Sequence, residues 1–321
     1  MRVAGGVLAR AASGAPTHVA GSAPTRIAGG APARVAGSVS ASRPRPTALT
    51  IETRARAVAP GEPLRIVVRS SEPLAELAGT FGGDPIFFTP SAEGGPAESL
   101  ARDWSAWAAV DLGAKPGKAR LEVRGRAAGG SELTADKTLT IRSKKFPEQR
   151  LAVEEKFVTP PPEETERIER EKKRLAAVFS GHREAPPPRE PFGRPVPGEA
   201  TGVFGTRRFF NGKPRTPHPG LDLKASTGTP VTCSGPGIVA LADELWFTGN
   251  TVIVDHGGGL FTIYAHLSRI DRKEGETVHP GDVVGLSGAT GRVTGPHLHW
   301  SAKIGNRPFD PTALLDPSLF R

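Results

Sequence analysis

Four histidines and one aspartate in the last third of the chain have the types and spacing to do chemistry. The sharpest arrangement is His297-Leu298-His299. In an extended strand, residues two apart project from the same face. Both imidazoles would therefore leave the chain on one side while Leu298 turns to the other, and Thr294-Gly295-Pro296 supplies a turn just before them. Such a pair suits a metal or catalytic site, with a hydrogen-bonded structural pair as the alternative.

A second signal is His218-Pro219-Gly220-Leu221-Asp222. Pro219 and Gly220 disfavour a helix, so the segment reads as a turn feeding a strand, with His218 on the turn and Asp222 between Leu221 and Leu223. An aspartate acting as a turn acceptor is the bland alternative. The third signal is Tyr264-Ala265-His266 at a strand end, where a buried, hydrogen-bonded histidine is the competing reading. Two imidazoles and a carboxylate make a nitrogen and oxygen donor set that suits zinc, and three protein ligands leave a fourth position open for water.

Together, His218-Pro-Gly-Leu-Asp222, Tyr264-Ala-His266-Leu-Ser and Ser287-Gly-Ala-Thr-Gly-Arg-Val-Thr-Gly-Pro-His297-Leu-His299 resemble the motifs of the lysostaphin and LytM-type zinc metallopeptidases, over about residues 202–315. The resemblance implies zinc held by His218, Asp222 and His299, with His266 and His297 as catalytic histidines. It further implies an endopeptidase that hydrolyses the peptide cross-links of bacterial peptidoglycan, acting on stem or bridge peptides in the periplasm or outside the cell. The ligand set is complete, which favours an active enzyme over a non-catalytic wall-binding or amidase-activating relative. A lipoyl- or biotin-carrier reading of Gly281-Asp282-Val283-Val284-Gly285 lacks the hairpin-tip lysine and leaves the histidines without a role.

Other noticeable residues read as structural. His256 lies in a hairpin turn and His279 precedes Pro280-Gly281; Cys233 is a small strand residue without a second thiol. Asp310-Pro311 reads as a cap for a short final helix. Tyr264 could reach a substrate through its hydroxyl or could simply pack.

These residues must be positioned by short strands. Residues 201–321 read as an all-β peptidase domain with strands at 229–232, 237–241, 251–255, 261–265, 282–286 and 297–302. Residues 47–146 read as an immunoglobulin-like β-sandwich with strands at 48–52, 64–69, 86–89, 107–111, 119–124 and 137–141, and Trp104 and Trp107 filling its core. Between them, 147–200 reads as a linker with one helix over Glu163–Ser180 and an extended proline-rich spacer over Ala185–Pro197. Residues 1–46 carry an eight-residue repeat (Arg2-Val-Ala-Gly-Gly, Arg26-Ile-Ala-Gly-Gly and kin) too poor in large apolar residues to bury a core, and read as disordered.

Bulk composition agrees. Among 321 residues, 39 Gly and 32 Pro point to turns and strands rather than a helical fold. One cysteine excludes an internal disulfide. No apolar run reaches the length of a membrane-spanning helix, and the start lacks an apolar stretch of signal-peptide type. Six arginines and no acid in the first 47 residues account for most of the net charge of +9, leaving a mildly basic body with no sign of nucleic-acid binding.

Overall fold

Alternating apolar and charged residues build the N-terminal half: β1 (Leu49–Arg54), β2 (Pro63–Phe81), β3 (Asp84–Ile86), β4 (Thr89–Pro90), β5 (Ala101–Ala109), β6 (Gly117–Ala127) and β7 (Glu132–Ile141). In β6 the alternation is complete: Ala119, Leu121, Val123 and Ala127 are buried, and Arg120, Glu122, Arg124 and Arg126 between them are exposed. This computed structural model describes residues 48–91, 101–152, 160–181 and 183–320; the repeat of 1–46 and residues 153–159 lie outside the described residues.

Strand β2 organises this half. Its first part, Pro63–Arg69, pairs with β1 and β5, and after a register break around Pro73 its second part pairs with β6 and β3. The mainly β architecture is as expected, but these strands form one seven-stranded sheet built on a 19-residue strand, where the sequence suggested a short strand at 64–69. The expected strand at 86–89 divides into β3 and β4 around Phe87 and Phe88. Leu64, Ile66, Val68 and Leu121 are fully buried in the core of this half.

After β8 (Glu148–Leu151) comes α1 (Thr165–Ser180). Good helix formers after three prolines nucleate it, and Ile168 and Phe179 form its buried side. Phe179 meets Phe261 edge-on at 5.3 Å, and Glu171 accepts from the Trp246 amide, so α1 lies on the outer face of the C-terminal sheet.

That sheet contains β9 (Ala200–Gly202), β12 (Gly220–Leu223), β13 (Pro230–Thr232), β14 (Gly237–Leu245), β15 (Gly249–Asp255), β16 (Leu260–Ile270), β17 (Thr277–Val278), β18 (Val283–Ser287), β19 (Leu298–Ile304) and β20 (Arg307–Phe309). Its main path runs β17-β14-β15-β16-β19-β12-β9. A separate small sheet joins β8, β10 (Arg207–Phe210) and β11 (Lys213–Pro214), the latter two linked by an Asn211-Gly212 turn with both residues at positive φ.

Two expectations change in position. Trp107 belongs to the buried cluster of the C-terminal sheet and stands 5.5 Å from Phe320, so it seals the junction between the halves instead of filling the sandwich core. The proline-rich segment is extended but is not a free spacer. Phe192 and Val196 are buried, the Phe192 amide donates to Leu314 O, and the Thr232 amide donates to Pro195 O. Arg56 crosses the junction to Asp310 and Thr312.

Candidate metal centre

Register brings the chemistry-bearing residues together. Strand β12 pairs antiparallel with β19 so that Asp222 faces His299 across the ladder, while β16 pairs with β19 so that Ala265 also faces His299. Leu221, Leu223 and Leu298 are buried in the core, which turns the alternate residues, Asp222 and His299, to the other face. His297 joins just ahead of β19 through a bridge to Gly288, and His218 is held on its turn by Gly205 and Thr206.

His266 reaches the same place by a different device. The β15–β16 register slips between the Asn250↔Leu267 and Val252↔Tyr264 pairs, and His266 sits in that bulge with φ +63°. A non-glycine residue in the left-handed region is strained. Its amide is held by Thr248 O, and the Thr290 hydroxyl bridges Leu267 O and the Asn250 amide, which clamps the bulge. Nothing in the residue types marks this bulge, so the residues alone placed His266 at a strand end, and its catalytic part was implied only by the resemblance.

The geometry converges on three donor atoms. His218 Nε2 lies 2.9 Å and His299 Nδ1 2.8 Å from Asp222 Oδ1, and the two nitrogens are 3.0 Å apart. The ring of His266 stands 5.0 Å from that of His297 and 5.8 Å from that of His299, and His297 Nε2 is 3.6 Å from Asp222 Oδ1. All five candidate residues are thus in one cluster; His297 is its most open member.

Backbone carbonyls set the tautomers. Val203 O, Thr290 O and Gly295 O lie 3.0, 2.9 and 2.8 Å from the Nδ1 atoms of His218, His266 and His297. A carbonyl only accepts, so each Nδ1 carries the proton and each Nε2 keeps its lone pair for the centre. Burial would raise the Asp222 carboxyl, but the adjoining His218 and His299 side chains outweigh it and hold the group ionised well below the usual carboxylate range. Burial, reinforced by His299 and His297, pushes His266 down to about 3, and burial likewise lowers His299.

This donor set fits a metal ion. At the His218–His299–Asp222 contact only the His299 Nδ1 proton is available to separate a carboxylate oxygen from an imidazole lone pair, so electron-rich atoms crowd together without enough protons between them. The three donor atoms all lie within 4.8 Å of one another and their residues are buried. Their spacing is near the roughly 3.3 Å edge of a tetrahedral zinc shell with bonds of about 2 Å.

Other residues fall away from the centre. Tyr264 is fully buried, its hydroxyl accepting from the Ser234 amide and lying 3.0 Å from the Thr262 hydroxyl, so it packs behind the sheet and does not reach a substrate. His256 is buried with both nitrogens engaged, and Asp310 caps the 3-10 turn Pro311–Leu315 through the Thr312 amide. Three contributors escaped the sequence reading. Arg208 Nη2 donates to Asp222 Oδ2 at 2.7 Å; a Cβ at Gly202 would meet that same oxygen at 2.4 Å; and one at Gly220 would meet His299 Cε1 at 2.8 Å. Gly220 could have been suspected from its place two residues before Asp222, whereas Gly202 comes to Asp222 only through the pairing of β9 with β12.

Residues 216–311 match Peptidase family M23. A solved Pseudomonas aeruginosa structure described as an M23 peptidase is 31% identical, aligns with 81% of this chain and 96% of its own, and superposes with a TM-score of 0.60. The chain belongs to peptidase family M23. Within it, the M23 region is 42% identical over 101 residues to the DD-carboxypeptidase/endopeptidase Mpg of Neisseria meningitidis, and 47% identical over 92 residues to the peptidoglycan DD-endopeptidase ShyA of Vibrio cholerae. These alignments take in 32% and 29% of this chain but only 23% and 21% of the relatives' own length. The M23 match contains all five residues of the centre.

Proposed function

We propose that this M23 chain is a zinc-dependent endopeptidase that hydrolyses peptide cross-links of bacterial peptidoglycan in the periplasm or outside the cell. The observation that carries the reading is the convergence of His218, Asp222 and His299 donor atoms beside two further imidazoles whose Nε2 lone pairs are directed by backbone carbonyls. The names of the Neisseria and Vibrio relatives support the substrate class, and the absence among the described residues of a helix able to cross a membrane is compatible with the location.

In this reading His218, Asp222 and His299 hold the zinc, which supplies Lewis acidity toward a carbonyl and makes water a usable nucleophile near neutral pH. His266 and His297 move protons. Both begin as acceptors, because each has given its Nδ1 proton to a carbonyl. His297 is the more open of the two, with Asp222 Oδ1 3.6 Å from its Nε2, whereas burial and neighbouring imidazoles oppose charge on His266. His297 then acts as general base and returns the proton to the leaving amine, and His266 orients the nucleophile by accepting from it.

The test combines elemental analysis with hydrolysis of purified sacculi. Wild type should hold about one zinc per chain and release un-cross-linked fragments. Asp222→Ala and His218→Ala should lose both zinc and activity, whereas His297→Ala should keep the zinc and lose activity. A wild-type protein that binds zinc and releases no fragments would leave a non-catalytic wall-binding role in its place.

A further inference from the structure

The two carboxylate oxygens of Asp222 keep different company. Oδ1 faces the imidazoles: His218 Nε2 stands 2.9 Å from it, His299 Nδ1 2.8 Å and His297 Nε2 3.6 Å. Oδ2 takes Arg208, whose Nη2 donates to it at 2.7 Å. The two side chains are only 23% and 12% exposed, so water competes little for this charged hydrogen bond. Gly202, opposite Asp222 in the pairing of β9 with β12, also borders Oδ2, where a Cβ would come within 2.4 Å of it.

Arg208 does not come from the sheet that carries Asp222. It stands on β10 of the small sheet, where its exposed neighbour Arg207 pairs with Glu148 at 2.7 Å. Strand alternation sends Arg208 to the opposite side, toward the metal centre. The turn that leads into β10 also serves a ligand, because Val203 O lies 3.0 Å from His218 Nδ1 and Thr206 O accepts from the His218 amide. The contact of Arg208 with Asp222 uses one nitrogen; its Nε is buried and makes no hydrogen bond.

The last torsion of an aspartate is broad and roughly two-fold, so a free carboxylate can turn to offer a metal ion one oxygen or both. A second oxygen would occupy the position that a hydrolytic zinc site keeps open. With Arg208 on Oδ2, that turn would break a charged hydrogen bond and leave a partly buried guanidinium without its acceptor. We propose that Arg208 is a positioning residue that holds Asp222 as a one-oxygen ligand, keeping Oδ2 off the metal and one coordination position free. This rests on the zinc peptidase reading above and adds a residue to it.

The experiment loads the full chain with cobalt(II) in place of zinc, because the visible absorption of cobalt is stronger in four-coordinate sites than in five- or six-coordinate ones. Turnover of a soluble cross-linked peptide is measured on the zinc-loaded samples. Arg208→Gln and Arg208→Ala should still take up about one metal ion per chain, with the absorption per bound cobalt falling to about half or less. Their kcat should drop about tenfold or more while KM changes less than about threefold. Arg208→Lys should recover part of both, because the native contact uses a single nitrogen, and Arg207→Ala should match wild type. Wild-type absorption per cobalt in the Gln and Ala variants overturns the proposal, whether or not their metal content or thermal stability has fallen. Should those two variants fail to fold, Arg208→Lys decides alone: its absorption per cobalt should fall short of wild type, and an equal value overturns the proposal. Wild type that binds cobalt in four-coordinate form but cleaves nothing would sink the peptidase reading and leave the spectra to decide for Arg208. Cleavage by wild type with the same spectrum in every variant would do the reverse.

Discussion

The hairpin of β15 and β16 carries a histidine at each end, and the two ends behave differently. At one end His256 is buried and pushed down to about 4 by that burial. At the other His266 is buried and pushed down to about 3. Neither burial nor lowered basicity separates a structural imidazole from a reactive one. The second nitrogen does. His256 has Pro236 O at 2.7 Å on Nδ1 and the Thr262 hydroxyl at 2.7 Å on Nε2, so its bonding is exhausted. His266 bonds Thr290 O through Nδ1, and the bulge turns its other edge toward His297 and His299.

The contrast can be broken at the reactive end first. Replacing His297 by Ala should lower turnover about a hundredfold or more at unchanged zinc content, and His266→Ala should lose less, since His297 remains to carry the proton. Steady-state hydrolysis with metal analysis of the same samples checks both; an equal loss would remove the division of labour. Gly202→Ala, which drives a Cβ into Asp222 Oδ2, should weaken zinc binding about tenfold, as read by competition with a chelator.

The structural end gives smaller effects of another kind. His256→Leu should leave turnover per folded molecule unchanged while costing about 1–3 kcal/mol of stability, because Pro236 O and the Thr262 hydroxyl lose their partner. Denaturant unfolding measures it. His256 also sets a pH response: its folded value near 4 lies below the ordinary 6.5, so the neutral form is the one the fold favours. Its contribution is complete above pH 6.5 and declines as pH falls from 6.5 toward 4, by about 3 kcal/mol in all. In the metal-free protein His266 adds a similar decline reaching to about 3. The slope of stability against pH between 6 and 4 should therefore drop by up to one proton in His256→Leu.

How much of this was legible in the sequence depends on what kind of group was involved. The pairing of His297 with His299 follows from strand alternation, and the burial of Leu221 and Leu223 around Asp222 follows from the same rule. The carbonyls of Val203, Thr290 and Gly295 were invisible because every residue has one; only the fold selects which three meet an imidazole. The bulge at His266 escaped for a related reason, since a left-handed histidine has no compositional mark as a glycine would. Arg208 was not singled out because it stands beside Arg207 with nothing in its type to tell them apart, and alternation sends only one of them to Asp222. The segment 185–197 looked like a spacer because two large apolar residues, Phe192 and Val196, among so many prolines show no period, although both are buried.

The junction sealed by Trp107 has a calorimetric consequence. Because Trp107 and Ala109 share a buried cluster with Phe192, Trp300 and Phe320, neither half can melt without uncovering the other's apolar surface. Heating the whole chain should give a single endotherm whose van't Hoff and calorimetric enthalpies agree over residues 48–320. A chain shortened to begin at Thr201 would carry the five residues of the centre intact yet melt at a lower temperature and bind hydrophobic dyes, with its catalysis limited by heat tolerance and not by chemistry.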